Sequence, residues 1–505
     1  MMRTLHKALP FAALLLAAAP LAQASGYSIY EQDAEATGQA GAVAARADNA
    51  SANFYNPAGL ATQESSSLSF GGTLIRYGAW GQLNKDVLLV DRSGPSPTVY
   101  GRYAAGTRYD METRNFFPIN VFLNYKLSKT MAFGFGAFAP FGLGTQWGSG
   151  NNPYKYMASN TDIRVLDYSP SFAMSLMGGK FSWGLGLDYY SASATLDQAI
   201  TLALKNSNLP PTFPPGIPAV RFPRGDNYAH LDATGHKFGG HIGLQFKPTE
   251  TISIGLVYRT KAKIKLDGSA SFSTVAGNVG GAAVTPGQSV TSLFPDQAAA
   301  TEIPVPQSGA LALAWTGKTW EVEGDLTYLG WKTFDSLNLD FSQNTCLKLV
   351  SAGNACSNSS VLTDKRIREN WKDTWAARVG AKWKGMEHAY LGFGVLYDQN
   401  PVRDEYVRSL LPDANRTGLT AGVGTRYKQL KFDFSVMYLN FQQRTSNPQT
   451  AVNNDPNSPY FNQPIDSDPY TPGVQTITEH ETLETLSSNY KANAWLYGFN
   501  LGYRW

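Results

Sequence analysis

Few residues of this chain could do covalent or metal chemistry, and those few are scattered. Beyond residue 24 the histidines are His230, His236, His241, His388 and His480. Three fall close together, but alternation puts His236 and His241 on opposite faces of a strand. Neither a Gly-x-Ser-x-Gly elbow nor a paired carboxylate motif accompanies them. Cys346 and Cys356 sit in NTCLKLVSAGNAC with no histidine nearby. A zinc site needs more ligands, so in an exported chain this pair reads as a disulfide across one loop. No metal, cofactor or catalytic residue is expected, and the chain does not read as an enzyme. What it does carry is charge in strand-like settings. Glu321, Glu323 and Asp325 alternate, as do Arg259, Lys261 and Lys263. The acidic set could pair with cations in a confined space. The basic set could cap the carboxylate of a ligand whose body is apolar.

The elements that must position these charges begin with an export signal. Arg3 and Lys7 precede an apolar run, Ala8–Leu21, and Ala22-Gln23-Ala24 precedes Ser25. That is a signal peptide over residues 1–24, too short an apolar run for a spanning helix of ~20 residues. Only 16% of residues are charged and 12% are aromatic, against about a quarter charged in an ordinary soluble domain. A barrel that faces lipid replaces surface charge with apolar side chains and keeps its polar ones inside. The net charge of +3 and the absence of a basic cluster with interleaved aromatics argue against nucleic acid as a partner.

Period-2 alternation then recurs along the chain. In 494–505 the odd positions are Trp495, Tyr497, Phe499, Leu501, Tyr503 and Trp505, while the even ones are mostly small or polar. Comparable rows centre on 66–77, 117–127, 131–146, 162–177, 181–194, 229–246, 251–266, 307–316, 319–335, 371–383, 389–399, 416–427 and 430–441. Short turns such as Ser128-Lys129-Thr130 and Lys247-Pro248-Thr249 alternate with long connections. This predicts an all-β chain: a 14-stranded antiparallel transmembrane β-barrel over 66–505, its turns periplasmic and its loops extracellular. Closure is what lets strands cross lipid without an unpaired edge. The terminal aromatic strand is of the kind read by barrel-assembly machinery, and a monomer is expected. In the loops, Leu196, Ile200 and Leu204 at four-residue spacing predict a short amphipathic helix over 193–205. A Pro-rich stretch from Pro210 to Pro218 follows, and together they offer apolar surface for capture.

Residues 25–65 lack this pattern. GQAGAVAARADNASANFYNPAGL, ending at Asn56-Pro57-Ala58, has too little apolar area to fold alone and predicts an N-terminal hatch inside the lumen. Parity turns Glu321, Glu323, Asp325, Arg378, Lys382 and Asp433 inward. With Glu35, Arg46 and Asp48 of the hatch they predict an ion-pair network that pins it.

The signal peptide, the small-residue plug with Asn56-Pro57-Ala58 and the strand count resemble the FadL family of outer-membrane transporters for long-chain fatty acids and other hydrophobic compounds. So do TGHKFGGHIGLQFKP, NWKDTWAARVGAKW, LYDQNPV and KANAWLYGFNLGYRW. The resemblance implies passive uptake of a hydrophobic molecule across the Gram-negative outer membrane: capture by loops, hatch movement, and lateral diffusion through a gap at strand 3. Read from the residues alone, Pro140 simply ends its strand. With the resemblance, a break over Ala139, Pro140, Phe141, Gly142 and Leu143 is expected, Pro and Gly both weakening a ladder. Asn56, Pro57 and Ala58 become a latch facing that gap. Arg366 or Arg368 would meet a fatty acid's head group, alongside Arg259 and Lys261, although basic rim residues could equally bind lipopolysaccharide phosphates. No Arg appears in LDYYSASATLDQ, where some fatty-acid transporters have one, which leaves room for aromatic or alkane hydrocarbons. A substrate-specific porin is the competing class, and the plug argues against it.

Overall fold

A computed structural model describes residues 26–91, 98–200, 227–274, 277–279, 282–284, 296–342, 345–346, 360–362, 365–446, 475–478 and 486–505. The expected signal peptide, Cys356 of the expected Cys346–Cys356 disulfide, His480 and the Pro210–Pro218 stretch lie outside the described residues. Fourteen antiparallel strands close into a barrel. They are β1 (Ser67–Leu83), β2 (Arg108–Asp110, Arg114–Phe116 and Ile119–Lys126), β3 (Met131–Gln146), β4 (Asn160–Leu176), β5 (Phe181–Ile200) and β6 (Asn227–Phe246). There follow β7 (Ile252–Arg259 and Ala262–Thr274), β8 (Gln297–Val305 and Ser308–Thr316), β9 (Trp320–Leu329 and Ser336–Phe341) and β10 (Lys365–Arg368 and Thr374–Trp383). The last four are β11 (Ala389–Asp398), β12 (Arg416–Tyr427), β13 (Leu430–Phe441) and β14 (Ser488–Arg504). Each strand pairs with its sequence neighbours, and β14 returns to β1 from Ser67↔Arg504 to Leu83↔Ser488.

Alternation decides which side chains meet lipid. On β14 the residues Trp495, Tyr497, Phe499, Leu501 and Tyr503 are exposed, whereas Ala494, Leu496 and Asn500 are buried. The same rule buries Glu321, Glu323 and Asp325 on β9, and it separates buried His241 from exposed His236.

Parity fails where a strand is interrupted. Seven residues of β7, Thr260–Leu266, oppose six of β6, Gly235–Gly240, because the register passes from His241↔Arg259 to Thr234↔Asp267. The extra residue is a bulge, and beyond it every side chain changes face. Arg259 is therefore inward and buried, while Lys261 and Lys263 are exposed and Ala262, Ile264 and Leu266 are buried. The expected inward placement of Lys261 and Lys263 is corrected accordingly. β8 breaks at Pro306-Gln307 in step with β7, keeping Arg259↔Ser308 and Ala262↔Val305.

The amphipathic helix expected over 193–205 is also corrected. β5 continues as strand to Ile200 and pairs with β6 out to Ile200↔Asn227; residues 201–205 lie outside the described region. A four-residue spacing is a multiple of two, so Leu196 and Ile200 suit a strand face equally, and a paired neighbour supplies the backbone hydrogen bonds a helix would otherwise make.

Candidate functional site

Residues 26–65 are buried almost throughout and hydrogen-bond to inward-facing groups of the wall. Two short α-helices, α1 (Ala34–Thr37) and α2 (Ala52–Tyr55), and a 3-10 turn over Pro57–Thr62 are their regular structure. Asp33 caps α1 through Ala36 N, 3.0 Å from its Oδ1. Little space separates this segment from the wall, and glycine makes the contact possible. A Cβ on Gly184 of β5 would lie 2.5 Å from the Pro57 carbonyl carbon, and one on Gly255 of β7 would lie 2.5 Å from Ala44 O.

The lower lumen is a charge network, as the sequence implies. Arg46 donates from Nε to Glu323 at 2.7 Å and from Nη1 to Glu321 at 2.8 Å. Glu323 also accepts the backbone N–H groups of Ala45 and Arg46, so one carboxylate holds three donors of the segment. Lys382 of β10 lies 3.1 Å from Glu35, 3.3 Å from Asp48 and 2.8 Å from Glu321, and Lys431 of β13 bonds Glu35 and Asp433. Burial, with Asp433 adding and Lys431 opposing, pushes the Asp33 carboxyl up to about 7. Burial acts on Glu35 in the same direction, but Lys382 and Lys431 overcome it and hold Glu35 well below the carboxylate range.

Arg259, expected as a free cation, is instead committed. Its Nη1 lies 3.1 Å from Asp167 and 2.8 Å from Asp188, and its guanidinium faces the Phe54 ring. Asp188 further takes Ser169 Oγ at 3.0 Å and His241 Nδ1 at 2.8 Å, with Ser171 Oγ 3.4 Å from His241 Nε2. Ser171, His241 and Asp188 stand in the order of a hydrolytic triad, but Asp188 is shared with Arg259 and all three side chains are buried. The set ties β4, β5, β6 and β7 together. Arg378 and Arg416 are likewise paired, each 3.0 Å from Asp398.

At β3 the wall itself is interrupted. Its ladder with β2 runs only from Lys126↔Ala132 to Val121↔Ala137. Its ladder with β4 slips by one residue between Phe138↔Asp167 and Phe141↔Val165, leaving Ala139-Pro140 opposite Leu166. The bulge thus falls within the expected range 139–143. Its backbone groups turn to the N-terminal segment: Ile29 N donates to Pro140 O at 2.8 Å, Gln32 Nε2 to Ala139 O at 2.8 Å, and Gly142 N to Tyr27 O at 2.9 Å. β2 and β3 meet again at Glu112 N and Gln146 O, 2.8 Å apart. On the lipid side Phe117 and Ile119 flank the interruption and are strongly exposed.

Asn56 and Pro57 do not face this bulge, which corrects the expected latch. Asn56 Nδ2 donates to Ala44 O at 2.8 Å and Leu244 O at 3.1 Å, and Oδ1 accepts Ala58 N at 3.1 Å, so they seat on β5 and β6 (Gly184 and Gly243). Tyr27, Ile29 and Gln32 occupy the position instead. Only Asn56-Pro57-Ala58 stood out by composition; a contact made by backbone atoms at the edge of the segment leaves no trace there.

Above the network an aromatic cluster lines the lumen, edged by buried Glu369, which accepts from Trp371 Nε1 at 2.8 Å and lies 3.6 Å from Arg408. The Tyr27 ring is 4.7 Å from Trp331, 5.9 Å from Phe141 and Trp371, and 6.2 Å from Phe334. Ile264, Leu266, Ile303 and Leu337 belong to the same buried cluster. Arg366 is exposed and pairs with Asp335 at 3.0 Å, whereas Arg368 is half-buried.

Fold and lumen together define an outer-membrane transport barrel, closed by strands and filled by its own N-terminal segment. Residues 15–505 match the family described as outer membrane protein transport protein (OMPP1/FadL/TodX), and the chain belongs to that family, in the Gram-negative outer membrane. Family members of this kind are transporters or channels rather than enzymes. The chain is 24% identical over 411 residues to a putative outer membrane protein of Neisseria meningitidis serogroup B, covering 80% of this chain and 84% of that one. It is 21% identical over 391 residues to the long-chain fatty acid transport protein of Escherichia coli O6:H1, covering 74% and 73%. Among solved structures it resembles a Pseudomonas aeruginosa FadL homologue, with a TM-score of 0.70, 18% identity and coverage of 95% and 99%. It also resembles the Pseudomonas putida toluene transporter TodX, with a TM-score of 0.62, 16% identity and coverage of 94% and 98%.

Proposed function

We propose that this protein takes up a hydrophobic molecule passively and releases it sideways into the outer leaflet. Loops collect the molecule, the aromatic cluster of the upper lumen holds it, residues 26–65 act as a hatch that yields, and exit follows the interruption in β3. The observation that carries this reading is the Ala139-Pro140 bulge, whose two carbonyls accept from Gln32 and Ile29 rather than from the wall, while nearby Gly142 N donates to Tyr27 O. Displacing three hydrogen bonds of the segment uncovers an opening beside lipid, with the barrel otherwise intact. A greasy solute gains free energy by entering lipid there and none by crossing a polar channel.

The pairing of Arg259, Arg378, Arg416, Lys382 and Lys431 with carboxylates favours an uncharged hydrocarbon over a carboxylate in the lumen, since a ligand anion would have to displace a buried partner. In a second reading a long-chain fatty acid lays its chain among Trp331, Phe334 and Trp371, although Arg366 and Arg368, opposite Asn338 and Ser336, lie on the other face of the wall from lumen residues Leu337 and Ile367. A deletion strain tests both: growth on an alkane or aromatic carbon source should depend on the protein under the first, and growth on oleate under the second. Full growth on all of them would remove the transport reading.

A further inference from the structure

The outer face of β14 and β1 carries Arg76 and Lys491 at and just beyond the upper end of the apolar band. Trp495 and Trp505 bound the outward row of β14; at ~3.3 Å per residue and ~40° tilt they are roughly 25 Å apart along the membrane normal, the height of the apolar band. Arg76 of β1 is level with Trp495 in the ladder, points outward and is exposed. Lys491 is outward two places further toward the cell exterior, opposite Trp80. Among the described residues neither has a carboxylate partner. Several other exposed cations do: Lys263 lies 3.1 Å from Glu302, Lys265 lies 2.8 Å from Asp267, and Lys332 lies 3.2 Å from Asp373, whereas exposed Lys261 and Arg164 stand without one among the described residues, each the only such cation on its strand.

The neighbours of Arg76 and Lys491 are amides and aromatics. Asn115 of β2 is paired with Arg76, and Asn493 lies between Lys491 and Trp495 and opposite Asn440 of β13. Trp495 packs 4.7 Å from Tyr438, and Arg108 stacks 4.6 Å from the Trp80 ring while paired with Asp110. Two cations without a carboxylate partner among the described residues, flanked by amide donors and set at the upper aromatic girdle, face the depth where anionic headgroups of the outer leaflet lie. An unpaired guanidinium held against the acyl boundary is costly, and a phosphate there removes the cost by charge-assisted hydrogen bonds.

We propose that Arg76 and Lys491, with Asn493 between them and Asn115 on the β2 side of Arg76, dock a phosphate of the outer-leaflet glycolipid, lipopolysaccharide, on the barrel's outer wall. This is independent of what the lumen carries. The test is a native mass-spectrometry titration of the full-length protein with lipid A bearing both phosphates, with dephosphorylated lipid A, and with phosphatidylglycerol. With two cations removed, Arg76→Gln/Lys491→Gln should bind bisphosphorylated lipid A roughly 30-fold more weakly than wild type. Arg76→Lys should stay within a few-fold of wild type, and Lys263→Gln should not differ from it. Removing charge from a lipid-facing position does not threaten folding, so weaker binding reports the site. Equal binding by the double variant, or equal binding of dephosphorylated lipid A to wild type, would overturn the proposal. Phosphatidylglycerol binding as tightly as bisphosphorylated lipid A would overturn the assignment to the glycolipid.

Discussion

Glu323→Ala is the most informative single change to the lumen. Glu323 is buried, lies 2.7 Å from Arg46 Nε, and accepts the N–H groups of Ala45 and Arg46. Alanine leaves Arg46 with Glu321 as its remaining acidic partner, 2.8 Å away, and strands two buried backbone donors. Truncating one member of a buried pair costs roughly 3–5 kcal/mol. With Glu321 retained, about 3 kcal/mol is a fair figure, or roughly 150-fold in the ratio of displaced to seated segment. Planar-bilayer recording reads that ratio as the frequency of ion-conducting events. The variant should conduct often where wild type is nearly silent, and Glu323→Gln, which keeps an acceptor of the same shape, should fall between. Lys263→Ala removes an exposed outer pair with Glu302 worth ~0–1 kcal/mol and should be silent. If Glu323→Ala were as quiet as wild type at equal insertion, the segment would not be held by this network and the hatch reading would fail.

Acidity should tighten the seat of the segment. The Asp33 carboxyl is at about 7 when seated and near 3.9 when free, so the seated form binds the extra proton and gains stability as pH falls through 7 toward 4. Conductance events should become rarer from pH 8 to pH 5.5, and Asp33→Asn should flatten that slope; a wild type with no slope would contradict it. Replacing Arg366 and Arg368 by Ala should leave oleate binding within a few-fold of wild type, because both side chains lie on the outward face, measured by isothermal titration and whole-cell accumulation; a large loss for oleate alone would restore them as head-group contacts. Equal loss for oleate and an uncharged hydrocarbon would make these residues structural.

Much of the architecture was legible because its signal is local. Alternation within each strand, short turns and long loops showed the fourteen strands, and parity found Glu321, Glu323 and Lys382 as lumen residues. Parity then misplaced Lys261 and Lys263, because a one-residue bulge at Thr260–Lys261 is invisible to a rule that counts by twos. Arg259 was found inward, but its partners Asp167 and Asp188 come from β4 and β5, and only strand pairing brings them together. The break at β3 showed itself through Pro140 and its glycines. Its cover did not: Tyr27, Ile29 and Gln32 bind there mainly through backbone atoms, which any sequence possesses.

Lateral exit at β3 stands or falls on the Ala139-Pro140 bulge. Deleting Pro140 would leave one residue opposite Leu166, continue the Phe138↔Asp167 register into Phe141↔Val165, and return a backbone donor to the ladder. Uptake of a labelled hydrophobic substrate by cells carrying the deletion, at matched surface level and with a heat-stable folded barrel, tests it directly. Uptake should fall to that of cells without the protein; uptake at the wild-type rate would contradict lateral exit at β3.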